Sequence, residues 1–186
     1  MIKGKNIILS SVEEEDLPLL LEWRNNPDYR RYYREYRELT LEHQKRWYKE
    51  RCIGDDRWQF FVVKAIDEDS DNKTYKTIGS CGLTYINWTS RTAEFAITIG
   101  DPKYRGKRLG GDTLRTLIKY GFEELNLNRI WCEVYSNNAA ISVYKHIGFV
   151  EEGVLRENYY CEGKYWDSHI LSMLKSEYEK DKQKNK

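Results

Sequence analysis

The sequence predicts a single α/β (α+β) domain of about seven strands flanked by about four helices. Three observations carry this. Stretches of alternating apolar and polar residues recur along most of the chain, with helical stripes between them. A glycine-rich segment joins one such strand to the best helical stripe. And 186 residues suffice for one substantial core but not for two. The domain is read as residues 1–174, followed by a charged tail, 175–186, expected to be a frayed helix or disordered.

In chain order, residues 6–12 read as a strand. Glu13-Glu14-Glu15-Asp16 then opens a helix through Leu17, Leu20 and Leu21, because carboxylates suit a helix N-terminus. Asn25-Asn26-Pro27 ends it, and 28–38 is crowded with arginine and tyrosine. Thr40 is placed to cap a second helix, 40–52. Residues 58–66 form an aromatic and β-branched strand, and the polar stretch 67–76 reads as an exposed hairpin loop. Strands follow at 77–86 and 91–99. In the latter Ala93, Phe95, Ile97 and Ile99 alternate with Glu94, Ala96 and Thr98, which places Glu94 beside small neighbours and away from charge clusters. Leu114, Leu117, Ile118, Gly121, Phe122 and Leu125 mark an amphipathic helix. Then come a strand at 130–135, a short helix at 138–146, and two strands around the turn Glu162-Gly163-Lys164.

Composition excludes several classes. Thirty-one basic side chains nearly cancel thirty acidic ones, which disfavours a dedicated nucleic-acid binder. No stretch is apolar enough to cross a bilayer and no signal-peptide pattern opens the chain, so a cytoplasmic protein without membrane association is expected. Cys52, Cys81, Cys132 and Cys161 lie too far apart for a zinc or redox motif and read as reduced, mostly buried thiols. His43, His146 and His169 form no metal-spaced set, so no metal is expected.

The chemistry concentrates in Tyr104-Arg105-Gly106-Lys107-Arg108-Leu109-Gly110-Gly111. Glycines at a strand–loop–helix junction leave backbone N–H groups open toward one point at the helix start, and Arg105, Lys107 and Arg108 add local positive charge. That describes a cradle for a pyrophosphate. It equally describes a glycine-containing helix start followed by a solvated basic patch. The spacing is neither the dinucleotide fingerprint nor a P-loop.

Residues 99–110 resemble the acetyl-CoA signature of GNAT N-acetyltransferases, Arg/Gln-x-x-Gly-x-Gly/Ala. A second segment, Asn137 to Phe149, resembles that family's N-x-x-A-x-x-x-Y-x-x-x-G-F block through Asn137, Ala140, Tyr144, Gly148 and Phe149. Further matches cover 124–130, 152–157 and 163–167, and the RimJ/RimL-like branch is the most similar group. One position departs, since Arg108 stands where the pattern has glycine; a positive φ there would strain an arginine.

The resemblance implies the GNAT fold, with a mixed, mostly antiparallel, twisted central sheet, and acetyl-CoA as cosubstrate. It implies that the main chain of Ile97, Thr98 and Ile99 meets the pantetheine arm like a partial extra strand. Arg105, Gly106, Lys107, Arg108, Leu109, Gly110 and Gly111 would hold the phosphates, with Asn137, Ala140 and Tyr144 along the arm. Direct transfer to an amine needs a base and a proton donor for the departing thiolate. Glu94 is the candidate base, acting through water, although on its own it reads as a surface carboxylate. Tyr144 is the candidate acid, although on its own it reads as one of fifteen packing tyrosines.

The acceptor side falls near Trp23, Arg24 and Asn25 and the arginines that follow, which read as a solvated surface with local ion pairs. The acceptor is expected to be a small-molecule amine or a protein N-terminus: a protein α-amine, a polyamine or an amino sugar. A homodimer is left open. The competing reading is a non-catalytic acyl-CoA sensor or scaffold.

Overall fold

The computed structural model describes residues 1–66 and 74–184. Eight strands form one sheet in the order β1-β2-β3-β4-β5-β6-β8-β7. They are β1 (Ile2–Lys3), β2 (Ile7–Ser11), β3 (Gln59–Ile66), β4 (Tyr75–Asn87), β5 (Thr92–Ile99), β6 (Arg129–Tyr135), β7 (Val150–Cys161) and β8 (Lys164–Leu174). All neighbours pair antiparallel except β5 and β6. The helices are α1 (Leu17–Asn25), α2 (Pro27–Arg30), α3 (Leu41–Trp47), α4 (Leu109–Lys119), α5 (Ala140–Ile147) and α6 (Lys175–Lys184). The mixed sheet agrees with the expected fold; the eighth strand, β1, has two residues and leaves no periodic trace.

Alternation along the strands splits the core between the two faces of the sheet. On β3, Phe61 and Val63 face a cluster with α4, whose Leu114, Leu117 and Ile118 are buried, whereas Val62 faces Val12, Leu17, Leu20, Trp23, Tyr29 and Tyr48. Burying each such aliphatic side chain is worth roughly 1.5–3 kcal/mol. The second face packs Trp23 flat on Gly100, where an added Cβ would come within 2.0 Å of the indole. That contact fixes α1 on the strand end that leads into the glycine-rich loop.

Thr40 caps α3 as expected: its Oγ1 accepts the His43 N–H, and His43 Nδ1 accepts the Thr40 N–H. Glu162 and Gly163, with φ of 54° and 79°, make the two-residue turn between β7 and β8, both in the left-handed conformation a tight hairpin needs. Of the expected loop 67–76, Tyr75 and Lys76 already belong to β4, and 67–73 lie outside the described residues.

Two expectations need correction. Residues 175–184 of the expected tail form α6, which docks onto the turn that follows α4. The Tyr178 ring lies 5.2 Å from that of Phe122, and Tyr178 Oη and Lys182 Nζ both donate to Glu123, at 2.5 and 2.6 Å. Of the cysteines, all free, only Cys81 and Cys132 are fully buried; Cys52 and Cys161 are half-buried. Burial pushes the Cys52 thiol up to about 12.

Candidate active site

The cleft begins where β5 and β6 part. Their parallel pairing runs only from Thr92↔Arg129 to Glu94↔Trp131, and beyond Glu94 the strands lose register. β5 continues to Ile99 paired with β4 alone, so its other edge faces open space. A cavity of about 920 Å³ fills this gap, lined by Ile97, Thr98, Ile99, Ala140 and Tyr144 on one side and by Trp23, Arg24, Tyr33 and Arg34 on the other. An extended segment of ligand can add to that free strand edge by main-chain hydrogen bonds.

At one end of the cleft, Gly106 adopts φ +72° and Arg108 φ +63°, and the chain then enters α4 at Leu109. The strain foreseen for an arginine at position 108 is therefore present, of the order of ~1–2 kcal/mol. Gly110 and Gly111 fill the first turn, whose N–H groups have no intrahelical acceptor and point outward. Asp112 is turned away, its two oxygens accepting the Lys5 and Asn6 N–H groups at 3.1 and 2.6 Å. Arg108 is exposed and has no ion-pair partner among the described residues. Lys107 Nζ stands 5.3 Å from the Tyr104 ring centroid.

Arg105, expected among the phosphate-binding residues, makes two contacts within the protein. Its Nε donates to the Ile99 carbonyl at 3.0 Å, and its guanidinium lies 3.7 Å from the Tyr29 ring centroid. It is a wall of the cleft. Thr98 likewise spends its hydroxyl within the protein, 2.9 Å from Tyr33 Oη, which leaves only its main chain for a ligand.

Just before α5, the Asn137 side-chain amide is buried with neither its oxygen nor its nitrogen hydrogen-bonded. Leaving such a group unpaired costs about 1–3 kcal/mol, so the position suits a residue completed by a polar ligand. Asn138 Oδ1 accepts the Ala140 N–H at 2.9 Å and sets the start of α5. Tyr144, one turn further, packs edge-on against Phe95 at 5.0 Å. Burial drives its phenol well above the ordinary tyrosine value, so it stays protonated. Its hydroxyl has no hydrogen-bond partner among the described residues and is free to donate into the cavity.

Glu94 overturns the expectation of an isolated carboxylate beside small neighbours. It is only 6% exposed and lies in a charge cluster. Arg34 Nη1 donates to Glu94 Oε2 at 2.9 Å and Nη2 to Oε1 at 2.5 Å, while the same Nη2 reaches Glu133 Oε2 at 2.7 Å. Burial works against the Arg34 charge, but the two carboxylates outweigh it and hold the guanidinium protonated beyond its usual range. Glu133 is further fixed by Asn158 Nδ2 at 2.9 Å. One cation between two anions leaves this three-residue cluster with one net negative charge.

Of the three residues expected on the acceptor side, only Arg24 keeps its head group in the cavity, stacked 4.6 Å from the Tyr33 ring centroid. Trp23 lines the cavity but spends its ring on Gly100. Asn25 is a staple: its side chain donates to the Leu39 carbonyl and accepts the Leu39 N–H. The residues missed from sequence are Arg34 and Glu133. Arg34 was one of many arginines in 28–38. Glu133 could have been found only from the β5–β6 register, since Glu94↔Trp131 puts Glu133 two residues along on the same face.

Among the described residues no cluster of three or more His, Cys, Asp or Glu could hold a metal, and no helix is long and apolar enough to cross a membrane. The family described as "Acetyltransferase (GNAT) domain" matches residues 6–150. The spermidine N(1)-acetyltransferase of Vibrio cholerae is 31% identical over 176 residues, 94% of this chain and 96% of that protein. The crystal structure of spermidine N-acetyltransferase from V. cholerae in complex with CoA and spermine superposes with a TM-score of 0.83 at 30% identity, covering 94% of this chain and 99% of that one. A dodecameric structure of the V. cholerae enzyme gives 0.78 at 30% identity, over 94% and 97% of the two chains.

Proposed function

The chain belongs to the GNAT acetyltransferase family, and on that premise we propose that it moves an acetyl group from acetyl-CoA to a primary amine of an aliphatic polyamine. Acetyl-CoA-dependent N-acetylation is the activity the family and the CoA-bound relative support. The observation that carries the choice of acceptor is the buried Glu94–Glu133 pair around a single guanidinium, whose spare negative charge suits an ammonium group. The polyamine named for the V. cholerae relatives agrees in chemistry.

The residues present fit the cosubstrate. The free edge of β5 takes the pantetheine arm, the unpaired Asn137 amide supplies a donor and an acceptor beside it, and the first turn of α4 with Arg108 takes the phosphates. Bound acetyl-CoA supplies the activated acyl group and a thiolate leaving group. Everything else falls to side chains. A polyamine nitrogen titrates near ~10.4 when unperturbed, so it arrives protonated and must lose a proton before it can attack. Glu94 accepts that proton and passes it to solvent. Tyr144, kept neutral by burial, donates its proton to the departing sulfur and is reprotonated by the second proton lost from the acylated nitrogen. No acyl-enzyme is needed.

We further propose that the chain assembles with copies of itself. The dodecameric V. cholerae relative supports this, as does β7, an edge strand exposing Val154, Leu155 and Tyr160. Size-exclusion chromatography with light scattering tests it, and a monomer at all concentrations contradicts it.

The activity is tested by incubating purified protein with acetyl-CoA and spermidine, spermine, a peptide with a free α-amine, or an amino sugar. Thiol release and product mass are followed. Transfer to the polyamines at the highest kcat/KM is expected. Transfer only to the peptide or the sugar overturns the acceptor, and CoA binding without transfer to any amine favours the sensor.

A further inference from the structure

We propose that Arg34 is an internal stand-in for the acceptor: its guanidinium occupies the place between Glu94 and Glu133 that the acceptor's ammonium takes, and the acceptor binds by displacing it. The proposal rests on the polyamine reading and adds to it a residue that sets selectivity.

The geometry of the bridge gives the reason. Both oxygens of Glu94 are engaged by Arg34, at 2.9 and 2.5 Å. A carboxylate whose two oxygens are both held by one guanidinium has neither of them free for a second cation. So long as the bridge stands, Glu94 can neither touch the amine nor take its proton. Once Arg34 leaves, both Glu94 oxygens are open to the ligand, with Glu133 beside them. Displacement therefore opens a structural carboxylate to the amine.

Arg34 is also placed to leave. Its side chain is 45% exposed although Glu94 and Glu133 are 8% and 14% exposed, so its outer side already meets solvent. It comes from the irregular stretch between α2 and α3, whose backbone is fastened without it. Tyr159 Oη donates to the Arg31 and Tyr33 carbonyls at 3.1 and 3.2 Å, and Tyr33 Oη lies 2.9 Å from Thr98 Oγ1. The head group can swing while the main chain stays.

What can replace it is restricted. Withdrawal without replacement leaves two buried carboxylates facing each other, which is strongly unfavourable. An ammonium offers three donors and a full charge to the same oxygens. A neutral ligand offers no charge. The bridge thus admits cations and keeps the base idle without one. Arg24 does not compete for this place, since its guanidinium stacks on Tyr33.

The test uses the full chain with Arg34→Ala and Arg34→Lys, reading spermidine affinity by calorimetry with CoA present, and kcat and KM by thiol release. Removing an internal competitor multiplies apparent affinity by the inverse of the fraction displaced, and spermidine should bind the alanine variant about tenfold tighter. KM should fall in parallel, with kcat within about threefold. Millimolar methylguanidinium should inhibit the alanine variant competitively against spermidine and leave the native protein unaffected. Lysine, which keeps the charge but cannot bridge both carboxylates as a fork, should fall between the two; it decides the matter if the alanine variant fails to fold. Weaker or unchanged spermidine binding in the folded variants overturns the proposal, as does methylguanidinium restoring turnover. Failure of the native protein to acetylate any polyamine instead overturns the acceptor reading, while calorimetry still decides whether Arg34 competes with a bound cation.

Discussion

The two ends of the cleft are built by opposite rules. The proposed cofactor end is made of short runs of consecutive residues that would act through the main chain: the free edge of β5, the turn at 105–108 and the first amides of α4. The acceptor end is made of side chains from distant parts of the chain. Arg34 meets Glu94 across 60 residues and Glu133 across 99. The first arrangement accepts one ligand class whatever side chains surround it. The second is specific, because changing any member leaves a charge unpaired in a partly buried site. Loss of either acceptor-end carboxylate should therefore impair turnover and leave the cofactor affinity alone, and most cofactor-end substitutions should do the reverse.

Tyr144 stands between the ends and should show the largest effect. Tyr144→Phe keeps the edge-on contact with Phe95 and removes only the donor, so kcat should fall about 10²–10³-fold, within the range for loss of a general acid. Acetyl-CoA affinity measured by calorimetry should stay within about twofold. Equal losses in both would assign the residue to packing. Because burial holds its phenol above the ordinary value, native activity should show no alkaline loss from Tyr144 ionisation until above about pH 10.

At the acceptor end, Glu94→Gln should lower kcat about 100-fold by removing the base, with acetyl-CoA KM unchanged. Glu133→Gln should act mainly on the amine, raising its KM about fivefold. If both variants lose acetyl-CoA binding instead, the two ends are not separable.

At the cofactor end, Asn137→Ala removes an amide that has no partner in the protein. It should leave stability nearly unchanged while raising the acetyl-CoA KM about tenfold, the equivalent of one or two hydrogen bonds. A large drop in melting temperature with unchanged KM would assign Asn137 to the fold. The smallest effect belongs to Arg108→Gly. Relief of the left-handed backbone should stabilise the protein by about 1 kcal/mol, or about 2–4 °C in Tm, with turnover retained. Loss of CoA binding would show that the guanidinium is a required phosphate contact.

The same contrast explains what could be read from sequence. The order of the strands from 6 to 174 and the positions of α1, α3, α4 and α5 follow from short-range periodicity and caps. The glycine-rich turn and the Asn137–Phe149 block are local motifs, so the proposed cofactor end could be picked out from sequence. Even there the direction of Arg105 was not legible, because a charge in a loop does not say which way it folds back; it turned onto Tyr29 and Ile99. Glu94 was picked out, but its surroundings were not. Its cluster depends on where β6 lies beside β5 and where 28–38 crosses the sheet, and neither is encoded within any one segment. The docking of α6 escaped for a similar reason, since its anchor is a single Tyr178 on Phe122 and Glu123 in a helix that is otherwise polar.

The most direct test of the division is calorimetry on the Glu94→Gln, Glu133→Gln double variant, with acetyl-CoA and spermidine titrated separately. The account predicts acetyl-CoA affinity within about twofold of the native protein and spermidine affinity reduced at least tenfold. A folded double variant that loses both ligands, or that binds spermidine undiminished, would contradict it.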